Sequence, residues 1–88
     1  MTYCVVIPKK TQKDLDKIDK RYRDRVVDAL SVLSLDPYAG KNLAGEYKEK
    51  YSYRVWPYRI IYEIYKKELV ILIIRIGHRQ GVYGKQRK

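Results

Sequence analysis

The sequence predicts an α+β domain of order β-α-α-β-β-β, with a helical hairpin packed on one face of a mostly antiparallel four-stranded sheet. Three observations predict it. Apolar residues from Leu15 to Leu33 recur in helical steps of three and four. The stretch after Lys50 holds three runs rich in β-branched and aromatic residues, joined by short polar or proline-containing connections. A further apolar run opens the chain ahead of Pro8. The 88 residues suit a single domain spanning 1–88, with too little chain for a second core.

The opening run, Thr2 to Ile7, is rich in β-branched and aromatic residues and reads as a strand that Pro8 ends. Cys4 lies within it. One cysteine supports neither an internal disulfide nor a metal cluster, so Cys4 is expected to be a small buried apolar residue. Leu15, Ile18, Tyr22, Val26, Ala29, Leu30 and Leu33 then trace one helical face, and charged residues fill the other. Thr11 is placed to cap the first helix. A break near Asp19–Arg21 would make the run a helical hairpin. Asp36-Pro37 closes it, because the residue before proline is pushed out of helical geometry.

Residues 38–49 contain two glycines and no steady period, so they read as a loop with Leu43 turned inward. Three strands follow, over Tyr51 to Val55, Tyr58 to Tyr65 and Leu69 to Ile76. Trp56-Pro57 links the first pair, and Lys66-Lys67-Glu68 the second. The last strand is almost continuously apolar and is expected at the centre of the sheet. No stretch is long and apolar enough to cross a bilayer. The amino terminus has no export-signal pattern, so a cytoplasmic location is expected.

Charge gives the first functional clue. Twenty Lys/Arg against ten Asp/Glu leave a net +10. Residues 1–37 contribute +2 and residues 38–88 contribute +8, together with eight of the ten tyrosines. Basic residues interleaved with aromatics suit a polyanion whose bases can stack, single-stranded RNA in particular. An acidic protein partner is the other reading of the same charge.

Most catalytic templates are missing. There is no glycine-rich phosphate loop, one histidine and one cysteine cannot build a zinc site, and no serine sits in a nucleophile motif. No metal or cofactor is expected. The residues left are strand arginines: Arg54, Arg59, Arg75 and Arg79. Guanidinium groups bind phosphate bidentately, as lysine cannot. Alternation turns Ile60, Tyr62 and Ile64 away from Arg59. With regular hairpin registers, Arg54, Arg59 and Arg79 share the open face as a cradle for one backbone phosphate.

LAGEYKEKYSYRVWPYRIIYEI, the apolar strand after it, and then IGHRQGVY resemble the RelE/ParE toxin superfamily of toxin–antitoxin systems. The resemblance runs over essentially the whole chain. It rests on the order of a leucine-glycine loop, a tyrosine/arginine strand, YR ahead of an apolar strand, and a terminal HR with a tyrosine beyond. RelE members cleave messenger RNA in the ribosomal A site; ParE members inhibit DNA gyrase. The resemblance implies the RelE activity first, a ParE-like gyrase inhibitor as the alternative, and a non-toxic member as a third. It also implies an acidic antitoxin partner, with operator DNA reached only through the antitoxin complex.

Under the RelE reading, attack by a ribose 2′-hydroxyl needs a proton acceptor, cations on the transition state and a donor to the leaving oxygen. The resemblance gives Arg59 the scissile phosphate and Arg79 the developing charge or the leaving group. It places Arg54 among the basic residues of the preceding strand and makes Tyr83 a base or a stacking platform. Several members carry another basic residue where Ser52 stands. Arginine is a poor base, with a pKa above about 12, so Tyr83, His78, Lys48 and Lys50 all remain open for that role. Imidazole is the natural proton carrier, yet alternation sets His78 on the face opposite Arg79 unless Gly77 introduces a bulge. Trp56 either stacks on RNA or plugs the hairpin. Lys48, Lys50, Trp56, Arg75, Lys85 and Arg87 complete the expected RNA-binding set.

Overall fold

The computed structural model describes residues 2–43 and 49–78. Strand β1 (Cys4–Val6) leads to helices α1 (Lys9–Asp16) and α2 (Lys20–Leu35). A short 3-10 turn over Pro37–Ala39 precedes β2 (Lys41–Asn42), β3 (Tyr51–Val55), β4 (Tyr58–Tyr65) and β5 (Val70–His78). The sheet order is β1-β5-β4-β3-β2. β1 runs parallel to β5, and the other neighbours are antiparallel.

The helix break falls where the sequence places it. Asp19 caps α2 by accepting the Arg21 amide at 2.9 Å, which satisfies one of the donors a helix start leaves open. α2 stops at Leu35, just before Asp36-Pro37. The core lies between the helices and one sheet face. Val26, Leu33, Ile60, Tyr62, Ile71 and Ile73 are all fully buried there, and burying each aliphatic side chain contributes about 1.5–3 kcal/mol.

Several expectations need correction. Among the described residues the sheet has five strands rather than four. Lys41 and Asn42, expected in a loop, pair with Ser52 and Tyr51 because the chain leaving Gly40 runs alongside β3. That extra edge makes β4, not β5, the middle strand. β5 is still interior, and it runs two residues further than expected, to His78. It begins at Val70 because Leu69, with φ 56°, turns the chain. Cys4 is exposed, since alternation in β1 turns Val5 toward the core and Cys4 and Val6 away from it. Thr11 is not the cap of α1. The cap position is Pro8, three residues earlier, and the buried Thr11 hydroxyl donates to the carbonyls of Ile73 and Ile74 at 2.9 and 3.0 Å.

β5 carries a bulge that decides which way its polar residues face. Ile61 pairs with Arg75 and Tyr62 with Ile73, leaving Ile74 as the extra residue. Strict alternation would put Arg75 on the same face as Ile71 and Ile73. The bulge resets the count, so Ile71, Ile73 and Ile76 are all buried while Arg75 is exposed.

Candidate functional site

Two residues connect β3 to β4, and the Trp56-Pro57 bond between them is cis. This hairpin sets Arg54 and Arg59 directly opposite one another as Cα partners. Arg59 in turn pairs with Gly77 on β5, and two residues along the strand Ser52, Ile61 and Arg75 line up across β3, β4 and β5. Arg54, Arg59 and Arg75 therefore share the face turned away from the helices. Ile60 and Tyr62 point to the opposite, buried face. The arginine face is not bare, for Ile61 and Ser52 on it are both buried.

Like charges directly opposite on an antiparallel pair cost stability. Here no carboxylate offsets that cost: among the described residues, neither Arg54 nor Arg59 forms an ion pair. Arg59 Nη1 instead donates to Ser52 Oγ at 3.2 Å. Ser52, where a further basic residue was the expected pattern, thus steadies the guanidinium without neutralising it. Such a site is suited to a phosphate group, which would supply the missing negative charge.

Lys50 continues the same face at the start of β3 but is differently engaged. Its Nζ donates to Glu63 Oε2 at 2.9 Å, and Tyr65 donates to the other carboxylate oxygen at 2.8 Å. The hydrogen bond to Glu63 holds the Lys50 ammonium above its usual range. Lys50 is therefore a cation near neutral pH, poorly placed to accept a proton.

On the helix side of the same hairpin is a row of rings. Tyr58 packs against Tyr22 at 5.8 Å and edge-on against His78 at 5.8 Å. The Arg21 and Arg25 guanidiniums lie over Tyr22 at 5.4 and 5.7 Å, within cation–π range. Arg25 also donates to the Trp56 carbonyl at 3.4 Å, and the Trp56 side chain is more than half exposed. His78 pairs with Tyr58, next to the Arg59–Gly77 pair, so it projects on the face opposite Arg59. The bulge lies at Ile74 rather than Gly77 and does not bring His78 round. Arg79, Tyr83, Lys48, Lys85 and Arg87 lie outside the described residues. No group of three or more metal-ligating side chains occurs among the described residues, and no described helix is long and apolar enough to cross a membrane.

Residues 5–83 match the family of ParE toxins of type II toxin–antitoxin systems, parDE. Toxin RelG of Mycobacterium tuberculosis is 33% identical over 87 residues, covering 97% of this chain and 100% of that protein. The chain belongs to the RelE/ParE toxin superfamily. The toxin–antitoxin complex RelBE2 from Mycobacterium tuberculosis contains a chain with the same fold, at a TM-score of 0.83 and 32% identity, covering 90% of this chain and 100% of that one. The archaeal RelE–RelB complex from Pyrococcus horikoshii gives 0.77 at 29% identity, over 90% and 97% of the two chains. The free Escherichia coli RelE mutant shares the fold alone, with a TM-score of 0.76 at 18% identity over 91% and 86%. The superfamily places the chain among the toxins of type II systems and assigns its paired helices on a mixed sheet to the RelE-like fold.

Sequence reasoning missed two kinds of residue at this end of the molecule. Asp14 accepts the Ile76 amide at 3.1 Å, a contact that no local spacing announces. Arg21 and Arg25 stood among the charges of the polar helical face. Their four-residue spacing around Tyr22 was the available signal, because it stacks all three on one side of the helix.

Proposed function

We propose that this toxin is a single-domain, ribosome-dependent endoribonuclease that cleaves messenger RNA by attack of a 2′-hydroxyl on the scissile phosphate. One observation carries the reading: Arg54 and Arg59 oppose each other across a hairpin, with Arg75 on the next strand, and no described carboxylate neutralises them. Arg59, steadied by Ser52, binds the scissile phosphate, and Arg54 and Arg75 stabilise charge as the transition state develops. By the family resemblance Arg79 stabilises the developing charge or serves the leaving group, and Tyr83 accepts the 2′-proton or stacks on a base. His78, on the sheet face opposite Arg59, takes no part in the proton transfer. The ribosome presents the message in its A site, and an acidic antitoxin covers the cationic surface and carries the toxin to operator DNA. The relatives solved as RelBE2 and RelE–RelB complexes support such a partner, and the site of action is the cytoplasm.

A translating extract supplied with the protein, followed by primer extension on a defined message, tests this directly. Cleavage in phase with codons is expected. Arg59→Ala and Arg79→Ala should each reduce it at least a hundredfold, as expected when transition-state contacts worth about 2.7 kcal/mol or more are lost; Tyr83→Phe should do the same where the phenol takes the proton, and leave cleavage near wild type where the ring only stacks. An intact message at stoichiometric toxin would sink the nuclease reading.

The match to ParE toxins over residues 5–83 favours one second reading, a gyrase inhibitor without nuclease activity. One fold serves both activities. Inhibition of gyrase supercoiling with an intact message in the extract is the outcome that selects it.

A further inference from the structure

β1 is only three residues long and pairs with β5 only from Val70 to Leu72. Beyond Leu72 no strand among the described residues covers that edge of β5. α1 takes over, with Thr11 bonding the carbonyls of Ile73 and Ile74 and Asp14 accepting the Ile76 amide. The helix ends at Asp16, so Gly77 and His78 emerge past its cover. A cleft of about 230 Å³ opens there, lined by Asp14, Lys17, Ile18, Tyr58, Arg75 and His78.

The lining is chemically mixed in an informative way. Lys17 and Arg75 are exposed cations, and neither forms an ion pair among the described residues. Among the described residues Asp14 is the one acid lining the cleft, and it already accepts a backbone hydrogen bond. Tyr58 and His78, edge to face, supply an aromatic wall in which one ring face is open to a base. Arg75 also belongs to the arginine face, so the cleft continues from that face around the open edge of β5.

We propose that this cleft binds one nucleotide of a single-stranded RNA, next to the phosphate held on the arginine face. Lys17 and Arg75 hold its backbone phosphate, and the base lies against the Tyr58–His78 pair. An acidic peptide would use the cations but leave the aromatic wall idle, whereas every base has a face that stacks. Asp14 is a positioning residue that fixes the floor of the cleft through Ile76. The proposal rests on the RNA reading of the arginine face and extends it to an adjoining subsite that shares Arg75 with it.

The test is fluorescence anisotropy of a labelled single-stranded hexaribonucleotide, repeated over a series of salt concentrations. Lys17→Ala and Arg75→Ala should each weaken binding about threefold or more and flatten the log–log salt slope by about 0.7, the value for one lost phosphate contact on a single strand. Lys67→Ala, in the hairpin at the far end of β4, should change neither quantity. A hexamer carrying 5-bromouridine should photocrosslink to Tyr58 or His78, and His78→Ala should lower the yield severalfold. Affinity and slope unchanged in Lys17→Ala would overturn the proposal, whatever Arg75→Ala does, because Arg75 also serves the arginine face. So would weakened binding of poly-glutamate in those variants with RNA binding intact, which would assign the cleft to an acidic protein. Binding in the cleft without cleavage in the extract would refute the nuclease reading and leave the cleft standing. Cleavage with an unaltered salt slope in the variants would remove the cleft alone.

Discussion

At Tyr62 the ring and the hydroxyl meet different partners. The ring stacks on Tyr51 at 5.6 Å and 23°; the hydroxyl donates to the Pro37 carbonyl at 2.7 Å and accepts the Gly40 amide at 3.1 Å. One buried side chain in β4 therefore fastens the turn after α2 to the sheet, which brings β2 alongside β3. The approach is close enough that a Cβ on Gly40 would collide with the Tyr62 hydroxyl and sit 2.9 Å from the Ser52 carbonyl. Tyr62→Phe leaves two backbone groups unpaired and should cost about 1–3 kcal/mol in denaturant unfolding. Burial also pushes the Tyr62 phenol up to about 12 from 10.0. Its contribution to stability is therefore complete below pH 10 and is lost as pH rises from 10 toward 12. Thermal melts of the wild type should fall through that window more steeply than those of Tyr62→Phe, which has no phenol to ionise. Parallel decline of the two would show that the phenol does not govern alkaline unfolding.

Between elements, the informative contact is α1 on the edge of β5. Thr11 satisfies the carbonyl of Ile74, the bulged residue, and that of Ile73 before it. Thr11→Val keeps the shape of the side chain but removes the donor inside the core. The expected loss is about 1–3 kcal/mol, or roughly 4–8 °C in Tm per kcal/mol for a domain of this size. A melt within 2 °C of wild type, on the order of the smallest shift worth assigning, would show that the bulge holds without the hydroxyl. The same contact marks where the sequence stopped being legible. Asp19, Asp36-Pro37 and the two hairpin turns act within a few residues, so the helix break, the helix stop and β3–β4–β5 could be read directly. The facing of Arg54 and Arg59 followed, because a two-residue connection fixes their register. Thr11 finds its partners more than 60 residues away, and β2 exists only because the chain after Gly40 meets β3. Neither leaves a periodic trace. The four-residue spacing of Arg75 and Arg79 already sets Arg75 on the face of Arg54 and Arg59, but the bulge at Ile74 that reconciles this with the apolar run leaves no trace in the alternation.

Across the whole molecule, the +10 excess must be reconciled with folding. Self-repulsion of that size destabilises a compact chain, and the ten acids are what limit it. Glu63 shows how one of them is held. Burial pushes its carboxyl up, but the hydrogen bonds from Lys50 and Tyr65 and the Lys50 charge outweigh burial and keep it below 4.5. Asp19 is likewise lowered, chiefly by its hydrogen bonds from Arg21. A carboxyl lowered in the folded state binds its proton more readily when unfolded. Its stabilisation is complete above the unfolded value near 4.5 for Glu63 and disappears as pH falls through the lower, folded one. Protonating all ten acids would also double the excess to +20. Two separable effects should therefore drive acid unfolding. The general repulsion is screened by salt, with a Debye length shrinking from about 10 Å at 0.1 M to about 3 Å at 1 M. The Lys50–Glu63 pair is only partly exposed and is screened less. Melts below pH 4.5 should drop in low salt and recover in part in high salt. Glu63→Gln should lower the melt at pH 7 while making the decline below pH 4.5 shallower, since one of the groups that must be protonated is gone. A decline that salt abolishes entirely, with the same slope in Glu63→Gln, would assign acid unfolding to net charge alone and remove the Lys50–Glu63 pair from the account.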